Sequence, residues 1–94
     1  MDCARLQGTT RITHMNTTYG ERLEAALALQ IKVELVERGL NQKDLAEMVG
    51  IGRPAMNHYM TGKRSMPMPT FFAVADALGL SPRVLMERAE ARIA

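Results

Sequence analysis

Hydrophobic positions along this chain recur at helical spacing and nowhere alternate as they would in a half-buried strand. Leu23, Leu27, Ile31 and Leu35 fall every four residues and predict a helix with one core-facing stripe. Ala25, Leu29, Val33 and Val36 form a second stripe on roughly the opposite side. Packing against another part of the fold is the favoured reading of that stripe, and contact with a second subunit is the other. "TYGE" sets Thr18 as N-cap with Glu21 at the third helical position, a capping box. The first helix is therefore expected from Thr18 to Arg38, with Gly39 as a left-handed stop.

A second helix of about two turns should begin after Asn41. Asn41 is a good N-cap, and Asp44 sits in the first turn, where the helix dipole favours negative charge. Leu45, Met48 and Val49 make its apolar face, and Gly50 ends it. "GIGRPAM" then raises the question of Pro54. Proline is tolerated in a first helical turn because the N–H it lacks has no partner there. Pro54 thus permits a third helix starting at Arg53 or Pro54 and prevents the second from running into it. At roughly 100° per residue, Ala55, Met56, Tyr59 and Met60 share one arc, while Arg53, Pro54, Asn57, His58 and Thr61 share the other. Gly62 closes this helix. "SMPMP" reads as an extended connector, since a proline disfavours helix at the residue before it. A fourth helix is predicted from about Pro69 to Leu78, with Phe71, Val74, Ala75 and Leu78 inward and Gly79 as stop. Ser81 caps a fifth, with Pro82 first and Leu85, Met86, Ala89 and Ile93 on a narrow apolar face. Five short helices joined by tight turns make an all-α domain over 18–94. The aperiodic polar stretch 1–17 reads as a flexible leader, or as an arm in which Arg5 and Arg11 reach along a DNA groove. Met15 offers an alternative start.

Composition fits one small domain. Its hydrophobic fraction of 47% suffices for a core, which the scarcity of aromatics leaves to aliphatic and thioether side chains. Cys3 is the single cysteine, so no disulfide can form within one chain and a reducing compartment is expected. No apolar run spans a bilayer and no signal peptide is apparent, which makes a cytoplasmic location the expectation, with no membrane partner. The net charge of +2 implies no partner by itself, but its distribution is uneven. No acidic residue lies between Glu47 and Asp76, whereas Arg53, Lys63 and Arg64 do. Such a locally basic segment favours an anionic partner such as nucleic acid, although three cations can equally be a solvated face.

Two short helices joined by a glycine-containing turn are the signature of the helix-turn-helix. In that motif the second helix of the pair presents its polar arc to the DNA major groove. The stretch "LNQKDLAEMVGIGRPAMNHYMTGKR" resembles the helix-turn-helix of the phage lambda-repressor family and the wider Xre-type regulators. The shared features are Gln42, Leu45-Ala46, Gly50 at the turn, the aliphatic Ile51 and the closing Gly62. "TFFAVADALGLSPRVLME" resembles the next two helices, so the likeness covers roughly Gly39 to Met86.

The resemblance implies a five-helix lambda-repressor-like DNA-binding domain with its helix-turn-helix at the second and third helices. It implies a sequence-specific transcription regulator, of repressor type, acting as a homodimer on a pseudopalindromic site in double-stranded DNA. Residue by residue, it makes Gln42 a phosphate contact that buttresses the third helix and Arg53 a base reader. Pro54, Asn57 and His58 take the other groove-facing positions beside Thr61, and Lys63 and Arg64 are placed for phosphate. Met60 departs from the glutamate many Xre-type members carry, which points to the phage-repressor branch. With no room for a second assembly domain, a dimer is expected through these helices. The fifth helix, with Leu85, Ala89 and Ile93, is one candidate surface, and core packing is the other reading of that face.

The alternative function is a protein-interaction module, such as the antitoxin of a toxin–antitoxin pair, motivated by the two stripes of the first helix. His58 has only His14 and Cys3 as possible companions, so no metal site is expected. No phosphate-binding glycine loop or nucleophile motif occurs, so neither an enzyme nor a cofactor is expected. Tyr59, on the apolar arc, reads as core.

Overall fold

The computed structural model describes the backbone of residues 9–93 and the side chains of residues 19–93. Five helices follow in order: α1 (Thr9–Glu37), α2 (Gln42–Val49), α3 (Arg53–Thr61), α4 (Met68–Ala77) and α5 (Pro82–Ala91). There is no strand among the described residues.

The local signals place most boundaries. The Asn41 side chain accepts from the Asp44 amide at 2.8 Å, and Asp44 returns the favour to the Asn41 amide at 3.0 Å. This reciprocal capping box satisfies two of the donors that every helix start leaves without partners. Ser81 accepts from the Val84 amide and caps α5, with Pro82 in its first turn. Gly50 and Gly62 adopt φ of 85° and 83°, left-handed values that a side chain would strain. Gly50 thereby turns the chain between α2 and α3, and its amide bonds back to the Ala46 carbonyl at 2.8 Å.

The ends of α1 and α4 shift by one residue from expectation, and one boundary differs by much more. α1 starts at Thr9, so Thr18 lies inside the helix and is not its N-cap. A capping box is a preference of about 0.5–2 kcal/mol and does not itself stop a helix. "TTRITHMNT" contains no proline or glycine to stop one. Gly20 is then an interior helical glycine, tolerated at a cost of about 1 kcal/mol relative to alanine. Residues 1–8 lie outside the description, and with them the arm reading of Arg5. The same holds for the side chain of Arg11.

The core is one cluster fed by all five helices. Ile31, Leu45, Met56, Val74 and Leu85 are its largest fully buried apolar members. Each such side chain contributes about 1.5–3 kcal/mol relative to exposure. Leu85 and Ala89 are completely buried, so the apolar face of α5 belongs to the core and is not a free dimer surface. α5 lies chiefly along α1. The second stripe of α1 covers nothing: Ala25, Leu29 and Val36 are exposed and Val33 is half-buried. Met48, expected on the apolar face of α2, is likewise about half exposed.

A polar cluster closes the seam between α1, α4 and α5. Glu34 is only 1% exposed, yet it is charged. It accepts from Arg88 on α5, from Arg38 and from Gln30, each at 2.7 Å. Arg38 also donates to the Leu78 carbonyl at the end of α4, at 3.0 Å, and Arg92 donates to Gln30 at 2.7 Å. Burial pushes the Glu34 carboxyl up, but the hydrogen bonds from Arg88, Arg38 and Gln30 outweigh it and hold it below its ordinary 4.5. The same pair raises the Arg88 guanidinium.

A carboxyl whose folded value is depressed stabilises the fold above its unfolded value and loses that contribution as pH falls through the folded one. Glu34→Gln keeps the shape and removes the charge. It should lower unfolding free energy at pH 7 by about 1.5–3 kcal/mol, the range for hydrogen bonds to charged groups. Denaturant melts of both proteins from pH 7 to pH 3 should show the gap narrowing below pH 4.5. A gap that stays constant to pH 3 would show that the Glu34 charge contributes nothing.

Candidate nucleic-acid interface

The turn at Gly50 and the proline at the second position of α3 set α2 and α3 at an angle with their apolar faces together. Leu45 and Ala46 from α2 and Met56 and Met60 from α3 are buried in the common core. Tyr59 and Ala55 are half-buried beside them, as the apolar arc requires. The opposite arc of α3 therefore faces outward. Arg53, Pro54, Asn57 and Thr61 are exposed, and His58 is half-buried at the arc's edge.

Gln42, Arg53, Pro54 and Asn57 line one open concavity where α2 meets α3. Within it, the Gln42 amide donates to the Asn57 side-chain oxygen at 3.3 Å. That bond joins the start of α2 to the middle of α3 and orients the Asn57 amide. Its N–H groups and one remaining oxygen lone pair stay available to a ligand. Arg53 projects from the N-terminal end of α3, where backbone N–H groups add positive potential.

The remaining predicted residues sit around this centre with different freedom. The Thr61 hydroxyl donates to the Asn57 carbonyl at 2.8 Å, so its proton is committed to the helix and it can only accept from a ligand. Lys63 and Arg64 follow the left-handed Gly62 and are exposed. The Arg64 amide bonds back to the His58 carbonyl at 3.2 Å, which holds this basic pair against the end of α3. Among the described residues no acidic side chain lies between Glu47 and Asp76, so nothing on this stretch opposes an anion.

Two features were missed by sequence reasoning. Lys43 lines a smaller depression with Gln42 and Arg53 and adds a cation at the edge of the same surface. Its position next to Gln42 in the first turn of α2 could have flagged it. The Glu34 cluster, which fixes α1 behind the motif, joins residues up to 62 apart and leaves no local signal. Among the described residues no group of histidine, cysteine, aspartate and glutamate side chains could hold a metal ion, and no helix is long and apolar enough to cross a membrane.

Comparison with known proteins bears on this arrangement. The family model described as helix-turn-helix (HTH_3) matches residues 31–85, more than half of the chain. No curated protein sequence matches. Two solved structures, both of the clp gene regulator ClgR from Corynebacterium glutamicum, share the fold. One superposes with a TM-score of 0.70 at 20% identity, covering 76% of this chain and 76% of that one. The other gives 0.69 at 21% identity, covering 77% and 94%. The matched span holds α2, α3, α4, the C-terminal end of α1 and the first turn of α5, the part that carries the concavity and its support, and on that match the chain belongs to the helix-turn-helix family of Xre, lambda-repressor-like DNA-binding regulators.

Proposed function

We propose that this regulator is a repressor that binds a pseudopalindromic operator as a homodimer, with α3 in the major groove. The observation that carries the reading is the concavity shared by Gln42, Arg53, Pro54 and Asn57, with cations on its rim. A flat cationic patch would serve phosphate alone. Here an arginine and an amide, the side chains best matched to guanine and adenine edges, stand one helical turn apart on an exposed arc.

The roles follow from donor geometry. Arg53 offers two parallel N–H groups to the O6 and N7 of one guanine, worth about 1–3 kcal/mol of discrimination. Asn57, steadied by Gln42, suits adenine, giving a donor to N7 and an acceptor for the exocyclic amine. Pro54 offers only apolar contact, of the kind a thymine methyl accepts. His58 and Thr61 stand at the edge of the groove. Gln42, Lys43, Lys63 and Arg64 face phosphate, where they set affinity and register and carry no base preference. Repression follows from occupying a promoter.

The alternative reading, a module whose task is to hold a protein partner such as a toxin, is favoured by the uncovered stripe of α1. The two readings differ in what Arg53 does. Under the repressor reading, Arg53→Ala relaxes preference at one base pair per half-site, by about 1–3 kcal/mol, and affects random DNA far less. Lys63→Ala weakens operator and random DNA alike and reduces the slope of log K against log salt by about one. Fluorescence anisotropy across a salt series checks both. If Arg53→Ala weakens operator and random DNA equally, Arg53 reads no base.

A further inference from the structure

We propose that the outer face of α1 is the surface on which a second copy of this chain docks, antiparallel, with Leu29 at the two-fold axis. The proposal deepens the homodimer reading above and rests on it. It begins with what is left over after folding. The apolar face of α5 is consumed by the core, whereas Leu29 is 48% and Val36 is 77% exposed on α1. Arg22, Ala25 and Lys32 are exposed on the same side.

These five positions, Arg22, Ala25, Leu29, Lys32 and Val36, alternate in steps of three and four. That is the spacing of a seam that meets a second helix along its length, since it keeps one narrow face toward the partner. The opposite face of α1 is turned to the fold: Glu34 and Gln30 bond to α5, and Leu27 and Ile31 are buried in the core. The seam lies on the exposed side of α1, so a partner there leaves the core untouched.

Charge selects the direction. A parallel, in-register pair would set Arg22 on Arg22 and Lys32 on Lys32, and like charges facing across a seam are destabilising. In the antiparallel pair, Arg22 lies opposite Val36 of the second copy and next to its Glu37. The apolar stem of an arginine can cover a valine while its head stays near water and reaches a carboxylate. Two such Arg22–Glu37 pairs, related by the two-fold, flank the Leu29 contact. Lys32 faces the small Ala25 side of the other helix instead of another lysine. A two-fold interface of this kind is self-complementary, as a closed dimer demands.

The test needs no DNA, so its failure is distinguishable from failure of the operator-binding reading. Sedimentation equilibrium of the full chain should show a monomer–dimer equilibrium. Leu29→Asp combined with Val36→Lys, which sets a like charge opposite Arg22, should raise the dissociation constant at least ~10-fold. Both side chains are exposed in the protomer, so the thermal melt monitored by circular dichroism at low concentration should not change. Orientation is read separately by oxidation in a Cys3→Ser background. Leu29→Cys should cross-link to itself. Val36→Cys should not, because antiparallel helices separate the two Val36 positions by about 21 Å along the axis. A wild-type chain that stays monomeric overturns the proposal, as does a dimer indifferent to the double substitution. Self-cross-linking by Val36→Cys overturns the antiparallel arrangement.

Discussion

The buried Glu34 carboxylate is the constraint on which this structure turns. A charge removed from water is tolerated only when partners satisfy it, and Glu34 recruits them from its own helix, from Arg38 at that helix's end and from α5. Arg88 brings α5 to α1, and Arg38 carries the link on to the end of α4. Hydrophobic burial supplies most of the stabilisation, but it is indifferent to small slides of one helix along another. The charged hydrogen bonds are directional and fix the register of α1, α4 and α5. α2 and α3 pack on this frame through Leu45, Met56 and Met60.

That frame explains why the polar arc of α3 is presented so cleanly. The helix has only nine residues, too few to be stable alone, and it exists because its apolar side is held. Every residue the core does not take is turned outward at once, with Arg53 leading and Asn57 one turn later. The Gln42–Asn57 bond then removes freedom from the exposed amide, which would lower the ordering cost under the proposed adenine contact.

Much of this was legible in the sequence because it is local. Asn41, Ser81, Pro54 and the glycines at positions 50 and 62 act within a few residues of themselves, and each performs the role its chemistry suggests. The division of α3 into two arcs was legible for the same reason. Thr18 misled because a capping box marks a good place to begin, and only a breaker can require it. The Leu85–Ala89 face and the outer stripe of α1 look alike as patterns. Which of them is buried depends on packing between α1 and α5, and that depends on Glu34, 54 residues from Arg88. Lys43 was overlooked because exposed lysines are common, and only its place beside Gln42 and Arg53 gives it meaning.

The central claim is that the exposed arc of α3 reads base sequence as one half of a symmetric site. Selection of bound sequences from random double-stranded DNA with the full chain tests it most directly. The account predicts a two-fold symmetric motif with a guanine fixed in each half and half-site centres about 10–10.5 base pairs apart, or a multiple of that. Enrichment of no motif, with binding governed by salt alone, would contradict it.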